Sequence, residues 1–482
     1  MSPAGEGSGI VARPDAVQAP PASSPSSPTI QNATGLASHG LASLRATAIR
    51  VAAAGLGACD VARATEEAVS TTDRGVSIDG REYPVASDAR VIVLGSGKAT
   101  LSIAAALERV LGDRLHGGIV VVRAGEEGPP LDRIEVLIAD HPLPSERSAA
   151  AARRLVDSAD ALNADDLVLA AFTGGSSALA SLPPDGVTLT DKRRLHELLL
   201  SSGAPINDVN AVRKHVSAVK GGRLAARIAP ARIVNLTASD VAGDVLDAIT
   251  DPTVVDTSTV DDAIAILRGR DMWEAVPESV QRHLETPEAH SPGLEDAQID
   301  TVLLATGARA CEAMVLEAKA AGLPAHIIST TLEGEARELG RTVADLARRC
   351  STGGEPFAPP CLLVGCGGEA TVSLGDGGSF GTGGPNQETA LAAALALADQ
   401  PNVAGIFIDT DGSDGGTDAA GAIADGASVA RAAEAGVDVG ASLEAHRSRD
   451  PLERLDDLVL TGPTGTNVND LFVLAVGEGA QA

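Results

Sequence analysis

The feature that most constrains this chain is a repeated alternation of short apolar runs with helical stretches. In the first half the runs cover 90–94, 118–122, 134–139, 166–172 and 233–237, and helical stretches follow several of them. Strands that alternate with helices are typical of a parallel sheet. We therefore expect an α/β protein built on a doubly wound parallel sheet.

Length and charge limit the classes of protein that fit. A chain of 482 residues is long enough for two or three domains. It carries 65 acidic against 37 basic residues and a formal net charge of -28, so a polyanion such as nucleic acid would be repelled. We therefore expect no nucleic-acid partner. The acidic, lysine-poor composition also suggests a protein that stays soluble at high salt.

Cysteine spacing and the N-terminal segment bear on the compartment. The five cysteines form no CxxC or CxxH pair, so neither a disulfide framework nor a zinc site is predicted. Residues 1–34 are rich in Pro, Ala, Ser and Gly and contain no continuous apolar core. They fit neither a signal peptide nor a transmembrane span. We expect a disordered tail at 1–34, a cytoplasmic protein and no membrane partner.

The first candidate anion site is the turn GSGKA at 95–99, which follows the apolar run 90–94 and opens a helical stretch. Free amides and the helix dipole at such a junction attract anions, and Lys98 can add a full charge. The spacing is not that of a Walker A loop, and the third glycine of the dinucleotide fingerprint is missing. A simple tight turn therefore stays open as the alternative.

A second turn, TGGSS at 173–177, follows the run 166–172, which is apolar after Asp166. Ligands of open parallel sheets collect at the carboxyl ends of the strands. The turn does not fit the GxSxG nucleophile elbow, so we favour backbone and hydroxyl contacts to an anion over a serine nucleophile. His141, which stands among prolines in DHPLPS, is interpreted as a structural loop residue.

The segment 207–225 predicts an amphipathic helix with a cationic face. Its apolar stripe consists of Val209, Val212, Val216 and Val219. The opposite face carries Asn210, Arg213, Lys214, Ser217 and Lys220. Gly221 and Gly222 are expected to end the helix, because glycine adopts the left-handed conformation of a C-terminal cap. Arg and Lys together suit a carboxylate or phosphate, although a solvated helix face would show the same pattern.

Carboxylates follow other predicted strands. Asp240 and Asp244 come after the run 233–237, and Asp411 and Asp414 come after a strand predicted near 404–408. Carboxylates at such positions bind magnesium, accept a proton or cap the next helix. The segment DTDGSDG at 409–415 lacks the full spacing and bidentate Glu of a calcium loop.

In this order the motifs resemble the glycerate 2-kinase family, whose C-terminal portion is called the MOFRL domain. The resemblance covers nearly everything after the tail, and the motifs together are highly specific. They are GSGKA at 95–99, DHPLP at 140–144, TGGSSAL at 173–179, NDVNAVRKHVSAVKGGRLA at 207–225, SDVAGD at 239–244, GGEAT at 367–371, GGPNQE at 383–388, TDGSDG at 410–415 and TGPTGTNVND at 461–470.

The resemblance implies an ATP-dependent, magnesium-requiring phosphoryl transfer to the 2-hydroxyl of D-glycerate, which gives 2-phosphoglycerate and ADP. It implies a larger Rossmann-like N-terminal domain, a smaller C-terminal α/β domain and an active site in the cleft between them. We place these domains at 35–289 and 298–482, with the MOFRL core at about 360–475. D-glycerate and ATP are the expected partners, Mg²⁺ is the expected ion, and a homodimer is left open.

Lys98 aligns with the essential lysine of that family. We predict Lys98, Asp240 and Arg213 as catalytic residues, with Arg213 taking the glycerate carboxylate beside Lys220 or Ser217. Asp240 is the first candidate for metal ligand or base, and Asp411 and Asp414 are the other candidate metal ligands. The predicted binding residues for nucleotide and phosphate are Gly95, Ser96, Gly97, Gly174, Gly175, Ser176, Lys220, Asn386, Glu388, Thr466 and Asn467.

Some questions stay open at this point. Thr466 and Asn467 either bind nucleotide or knit their loop together. The chain has Pro385 where related sequences often have arginine, and it has a shortened segment at 250–253. The alternative functions are an NAD(P)H-dependent hydroxypyruvate reductase, which the missing third glycine disfavours, and a non-catalytic protein that binds hydroxy acids.

Overall fold

The computed structural model describes residues 28–126, 128–241, 243–374 and 381–478. Within these ranges no helix is both long and apolar enough to cross a bilayer. The lead-in segment forms a short three-stranded antiparallel sheet and helices that flank it. Its helices are α1 (Ala33–Leu36), α2 (Ala42–Ala58) and α3 (Val61–Ala68), and its strands are β1 (Val69–Thr72), β2 (Gly75–Ile78) and β3 (Arg81–Pro84).

The N-terminal sheet is parallel throughout and has the strand order β6-β5-β4-β7-β8-β9. This is the order of a doubly wound dinucleotide-type sheet. Strands are added in one direction from β4 to β6 and in the opposite direction from β7 to β9, so the strand order reverses between β4 and β7. The strands are β4 (Val91–Ser96), β5 (Gly117–Arg123), β6 (Ile134–Ala139), β7 (Leu167–Phe172), β8 (Arg232–Ala238) and β9 (Ile299–Ala305). The predicted fold class is confirmed for this sheet.

Helices and 3₁₀ turns cover this sheet and extend beyond it. The helices are α4 (Thr100–Leu111), α5 (Glu146–Asp160), α6 (Ser176–Leu179), α7 (Leu189–Ser201), α8 (Ile206–His215), α9 (Arg223–Ile228), α10 (Leu246–Ile249), α11 (Val260–Gly269) and α12 (Glu278–Leu284). The 3₁₀ turns are Gly112–Arg114, Asp251–Thr253, Trp273–Ala275 and Pro287–Ala289. Helices α7, α8, α11 and α12 share a small apolar core of their own beside the sheet.

The C-terminal sheet is mixed, with the order β10-β11-β15-β12-β13-β14. Its strands are β10 (Ala325–Leu332), β11 (Cys361–Gly367), β12 (Val403–Asp409), β13 (Gly421–Asp425), β14 (Leu458–Val459) and β15 (Asp470–Val476). The helices are α13 (Gly307–Ala320), α14 (Ala336–Gly353), α15 (Pro385–Ala396), α16 (Ser428–Glu434), α17 (Val439–Glu444) and α18 (Arg449–Arg454), with a 3₁₀ turn at Asp414–Gly416. The last long strand, β15, runs antiparallel between β11 and β12.

The two sheets are joined more closely than the predicted domain boundaries suggest. Strand β9 pairs with β8 and so completes the N-terminal sheet, whereas α2 packs on α13, β12 and β15. The fully buried Arg45 of α2 forms ion pairs with Asp425 and Asp457 of the C-terminal half. The domain boundaries at 35–289 and 298–482 stay a prediction. The contacts of β9 and α2 extend from one predicted domain to the other.

The predicted tail needs a correction at its end. Residues 1–27 lie outside the described residues, but 28–34 are not disordered. The Gln31 side chain donates to the Thr461 carbonyl at 2.7 Å and the Asn32 side chain donates to the Leu458 carbonyl at 2.8 Å. These partners lie far along the chain, so local composition gave no sign of them.

Candidate active site

Lys98 lies between β4 and α4, at the point where the strand order of the N-terminal sheet reverses. Its Nζ is 2.7 Å from Oδ2 of Asp411, which follows β12 of the C-terminal sheet. Burial alone would lower the pKa of Lys98, but the carboxylates of Asp411 and Asp409 outweigh it, so the pKa is raised. Lys98 is therefore a charged, half-buried group that links the two domains across the cleft.

The amides of the 95–99 turn are not free to bind an anion. Gly97, Lys98 and Ala99 all donate their N–H groups, at 2.9 to 3.3 Å, to Val121 O, Gly174 O and Thr173 Oγ1. Gly97 has φ +132°, and a Cβ there would stand 2.2 Å from Thr173 Oγ1. The expectation of free amides is therefore wrong at Gly97, Lys98 and Ala99, because these donors hold the turn to β5 and to the 173–177 turn. The binding roles of Gly95 and Ser96 stay predictions. Lys98 is the group that remains.

The 173–177 turn has the properties that were expected of the 95–99 turn. The amides of Gly174, Gly175 and Ser177 find no acceptor in the described part of the chain. A Cβ on Gly174 would lie 1.8 Å from Asp240 Oδ2. A Cβ on Gly175 would lie 3.5 Å from His141 Nε2 and 3.6 Å from Lys98 Cγ. Asp240, His141 and Lys98 therefore all lie against this turn. Ser176 is buried at the start of α6.

Asp240 follows β8 and packs directly against the 173–177 turn. Burial raises the pKa of its carboxyl to about 6, while the positive charge of Lys98 works in the opposite direction. The Asn469 side chain donates to the Asp240 carbonyl and so fixes this turn to the loop that precedes β15. Asp240 is thus placed beside Lys98 and is ionised at neutral pH, as a proton acceptor or a ligand of a cation must be.

The proximity of His141 to this group was not predicted. Burial, followed by the positive charges of Lys98, Arg123 and Arg213, lowers the pKa of His141 to about 4. Its imidazole is therefore uncharged at neutral pH, next to Gly175. The interpretation as a mere loop residue missed this position, although the place of His141 directly after β6, at the carboxyl edge of the sheet, was a signal that could have found it.

The cationic helix is shorter than predicted. The valine stripe is buried, as expected, but α8 ends at His215 and not near Lys220. Ser217 Oγ accepts the amides of Val219 and Lys220, each at 3.2 Å, which forms a turn in place of the last helical residues. Gly222 begins α9 as its N-cap residue, with φ +74°. Ser217 is therefore a structural residue and does not lie on a ligand-binding face.

The three cations of the predicted face have different surroundings. Lys214 is buried and paired with Asp247 at 3.0 Å and with Asp256 at 2.5 Å, so its charge is already neutralised. Lys220 lies 2.5 Å from Ser177 Oγ and also pairs with Asp251.

Arg213 is the least neutralised of these cations. Its Nε is buried and has no hydrogen-bond partner among the described residues. Burial lowers the pKa of Arg213, and Asp251 opposes that effect. Arg213 thus remains a candidate for an anion. Lys220 is a second candidate, because it pairs with only one carboxylate and reaches Ser177 of the turn, whereas Lys214 is paired with two carboxylates.

Other predicted residues of the C-terminal half support its own packing. Asp414 accepts the amides of Asn386 and Gln387, both at 2.9 Å, and so caps α15. Glu388 is buried and contacts Arg337 at 3.1 Å and His446 at 3.0 Å. Their hydrogen bonds hold α15 to its neighbours and do not reach Lys98. Their predicted binding roles stay predictions that these contacts do not support.

The loop before β15, which belongs to the C-terminal half, also approaches the 173–177 turn. Asn467 Nδ2 lies 3.5 Å from the position of a Gly174 Cβ, and its Oδ1 accepts the Asn469 amide at 3.0 Å. Thr466 is buried, and its Oγ1 has no partner among the described residues. The geometry is compatible with nucleotide binding by this loop and with a structural role, so both stay open.

Carboxylates are concentrated on the C-terminal side of the cleft. Asp409 and Asp470 face each other across β12 and β15. Burial, together with the charges of nearby carboxylates, raises the pKa of Asp409, and burial raises that of Asp470 to about 7. Within the described ranges, no three His, Cys, Asp or Glu side chains are placed to hold a metal ion. Asp240, Asp411 and Asp414 therefore form no group of three metal ligands among the described residues, and their roles as individual candidate ligands stay predictions.

A cavity of about 50 Å³ lies beside the Asp240 turn, between the two sheets. Its walls come from the end of β8, the start of α13, the strands β10 and β11, and the loop at Val468 and Asn469. The cleft therefore offers space next to the polar groups described above.

A parallel sheet whose strand order reverses at a point faced by a second, mixed-sheet domain is an α/β architecture of the class that binds small ligands at that point. Two family models match the chain. One is described as a domain of unknown function (DUF4147) and covers residues 47–285, and the other is the MOFRL family, at residues 361–470.

Similar proteins agree with these matches. A glycerate 2-kinase of Pyrococcus horikoshii is 40% identical over 90% of this chain and 97% of its own length. A crystal structure of a glycerate kinase from Thermotoga maritima has a TM-score of 0.76 and 36% identity, and covers 88% of this chain and 97% of its own. A putative hydroxypyruvate reductase of Agrobacterium vitis is 41% identical over 86% of this chain and 93% of its own length. The chain belongs to the glycerate 2-kinase family.

Proposed function

We propose that the protein transfers the γ-phosphoryl group of ATP to the 2-hydroxyl of D-glycerate, which gives 2-phosphoglycerate and ADP. The observation that carries the proposal is the position of Lys98, charged and half-buried at the sheet reversal, beside Asp240 and the free amides of the 173–177 turn. Phosphoryl transfer needs mainly such positioning and charge neutralisation. The names of the similar proteins support the same reaction.

We assign a separate role in this reaction to each group of residues. Lys98 and the amides of Gly174 and Gly175 bind the transferring phosphoryl group, which replaces Asp411 as the partner of Lys98. Arg213, with Lys220 beside it, takes the glycerate carboxylate. Asp240 accepts the proton of the 2-hydroxyl as that oxygen attacks the γ-phosphorus, while the bond to the ADP oxygen breaks.

Magnesium is a separate question. The described residues offer no cage of protein ligands, because Asp411 pairs with Lys98 and Asp414 caps α15. Mg²⁺ commonly keeps several waters and binds through substrate phosphates. We infer that it enters as part of the MgATP substrate.

The test is to incubate the purified protein with ATP, Mg²⁺ and D-glycerate and to follow the product by phosphorus NMR. A 2-phosphoglycerate signal supports the proposal, and phosphate on the 3-hydroxyl would overturn its regiochemistry. The relative named as a putative hydroxypyruvate reductase makes a second assay necessary, with NADH and hydroxypyruvate. Turnover in that assay alone would replace the kinase with a reductase. Light scattering during gel filtration tests the homodimer, which stays a prediction.

A further inference from the structure

A group of buried cations lies behind the 173–177 turn. Lys192 of α7 is only 1% exposed and Lys220 is 5% exposed, and both are within electrostatic range of Arg213. The carboxylate that faces them is Asp251, which pairs with Lys220. In the described part of the chain, the group thus holds more positive than negative charge.

Several donors of this group are not used. Lys192 Nζ donates to the Val216 carbonyl at 2.5 Å, whereas an ammonium has three donors. Arg213 Nε has no acceptor among the described residues. Buried charge that is not compensated is unfavourable, so such a group favours either an anion or the loss of a proton. Lysine is the member that can lose one near neutral pH.

The group connects with the proposed site on one side. Lys220 Nζ is 2.5 Å from Ser177 Oγ in the turn with free amides, and Arg213 acts electrostatically on His141, beside Gly175. Lys192 lies on the other side, where its bond to Val216 O holds the end of α8 and the turn that carries Lys220.

We propose that the acceptor carboxylate binds between Arg213 and Lys220 at Ser177, and that Lys192 is a positioning residue that takes up a proton when this carboxylate binds. This inference rests on the proposed function and adds a determinant of specificity. The site would select an anionic hydroxy acid over a neutral polyol such as glycerol, because a neutral ligand leaves the buried charge uncompensated.

The surroundings of Lys192 fix the sign of the effect. The charged or titratable groups that face it are His196 of α7, Arg213 of α8, Lys220, Arg223 of α9, Asp251 and His283 of α12. Burial, then the charges of Lys220 and Arg213, lowers the pKa of Lys192 to about 7. Burial also lowers the pKa of His196 and of His283, so neither takes up a proton in this range. Free Lys192 is thus mostly neutral at about pH 8, and a bound anion draws a proton onto it.

The experiment is calorimetric titration of D-glycerate into the full-length protein at about pH 8, without nucleotide, in two buffers of different ionisation enthalpy. The difference in heat gives the protons taken up, and we expect a value approaching one per site. Affinity should fall as pH rises above 7, by at most tenfold per pH unit. Glycerol should not bind under the same conditions.

Variants separate this role from simple support of the fold. Lys192→Met should lose the proton uptake and about tenfold or more in affinity for D-glycerate. Lys192→Arg should keep the binding and lose only the uptake, because arginine stays charged. Lys319→Met, which changes an exposed lysine of α13, is the matched control and should behave as wild type.

The outcomes distinguish the two proposals. Binding with no proton uptake in the wild type, or uptake that persists in Lys192→Met, overturns this inference even if the kinase reaction occurs. Uptake at Lys192 without phosphoryl transfer supports it and overturns the proposed reaction. No binding of D-glycerate at any pH overturns both.

Discussion

The turns after β4 and β7 look alike in sequence, since both place glycines and small polar residues between a buried strand and a helix, yet they do different work. The 95–99 turn donates its amides to β5 and to the 173–177 turn, and it contributes the Lys98 side chain. The 173–177 turn leaves amides free and lies against Asp240. The first turn therefore stabilises the sheet and carries a charge, and the second is the turn that we propose to bind the ligand. The comparison shows that a glycine turn at the end of a strand becomes an anion site only when no neighbouring strand uses its donors.

The largest expected effect comes from removing the charge that the first turn carries. Lys98→Ala should lower kcat for 2-phosphoglycerate formation by about a thousandfold, because it removes the charged group that we propose to bind the transferring phosphoryl group. Phosphorus NMR and a coupled ADP assay measure this loss. Lys319→Ala is the control, and a loss of less than about tenfold in Lys98→Ala would show that the turn only stabilises the sheet.

The glycines of the two turns test the comparison directly. Gly174→Ala places a methyl group on Asp240 Oδ2, so it should lower kcat by about a hundredfold while the melting temperature changes little. Gly97→Ala meets the Thr173 carbonyl and has φ +132°, so it should lower the melting temperature by about 3 °C or more.

Thermal melting and initial rates of both glycine variants, measured side by side, check this pair of outcomes. If Gly97→Ala spoiled only activity and Gly174→Ala spoiled only stability, the roles assigned to the two turns would have to be exchanged.

The next effect in size is a pH dependence from Asp240. Its pKa is raised to about 6, so the carboxylate that accepts a proton is present above that pH and lost below it. We expect kcat to rise by up to tenfold per pH unit from about pH 5 to about pH 6 and to level off above pH 7. The measurement is a pH–rate profile, with Asp240→Asn as the variant that should be nearly inactive at every pH. A flat profile in the wild type would rule out Asp240 as the base.

The smallest effect concerns the partner that the first turn finds across the cleft. Asp411→Asn removes the carboxylate that raises the pKa of Lys98 most, so this pKa falls. We expect a decrease in kcat of only a few-fold at neutral pH and a loss of activity at a lower alkaline pH than in wild type. Rates above about pH 8 provide the check. A loss as large as that of Lys98→Ala would mean that Asp411 itself contacts the substrate or its metal.

Much of the fold could be predicted, because buried parallel strands are continuous apolar runs that stand out in sequence. The strands β4 to β8 and the valine stripe of α8 were found in this way. The placement of β15 between β11 and β12 was not, since pairing partners far apart along the chain leave no local signal. The short antiparallel sheet β1–β3 was also missed, although its strands pair locally across tight turns, because its four-residue strands form no continuous apolar run. The end of α8 was missed for the same kind of reason, because the Ser217 side chain competes with the helix for two amides.

The sequence predicted several residues of the candidate site, but it did not predict which of them contact one another. Lys98, Asp240, Gly174 and Gly175 meet in the structure, as their positions at strand ends suggested. Asp414 and Glu388 belong to the packing of α15, because their donors are amides and cations that only the folded chain brings near. His141 and Lys192 were not predicted to belong to this region, since neither has a sequence motif that shows its burial.

The sequence by itself determined the class of fold, the family, and the strand ends at which polar groups collect, because periodicity and motif order are local properties of the chain. Only the tertiary structure decided which amides are free, which cations are already neutralised and which carboxylates face Lys98. Those outcomes depend on distances between residues hundreds of positions apart, such as Lys98 and Asp411. Hydrogen bonds and burial act over a few ångströms, so they are set by packing and not by spacing along the chain.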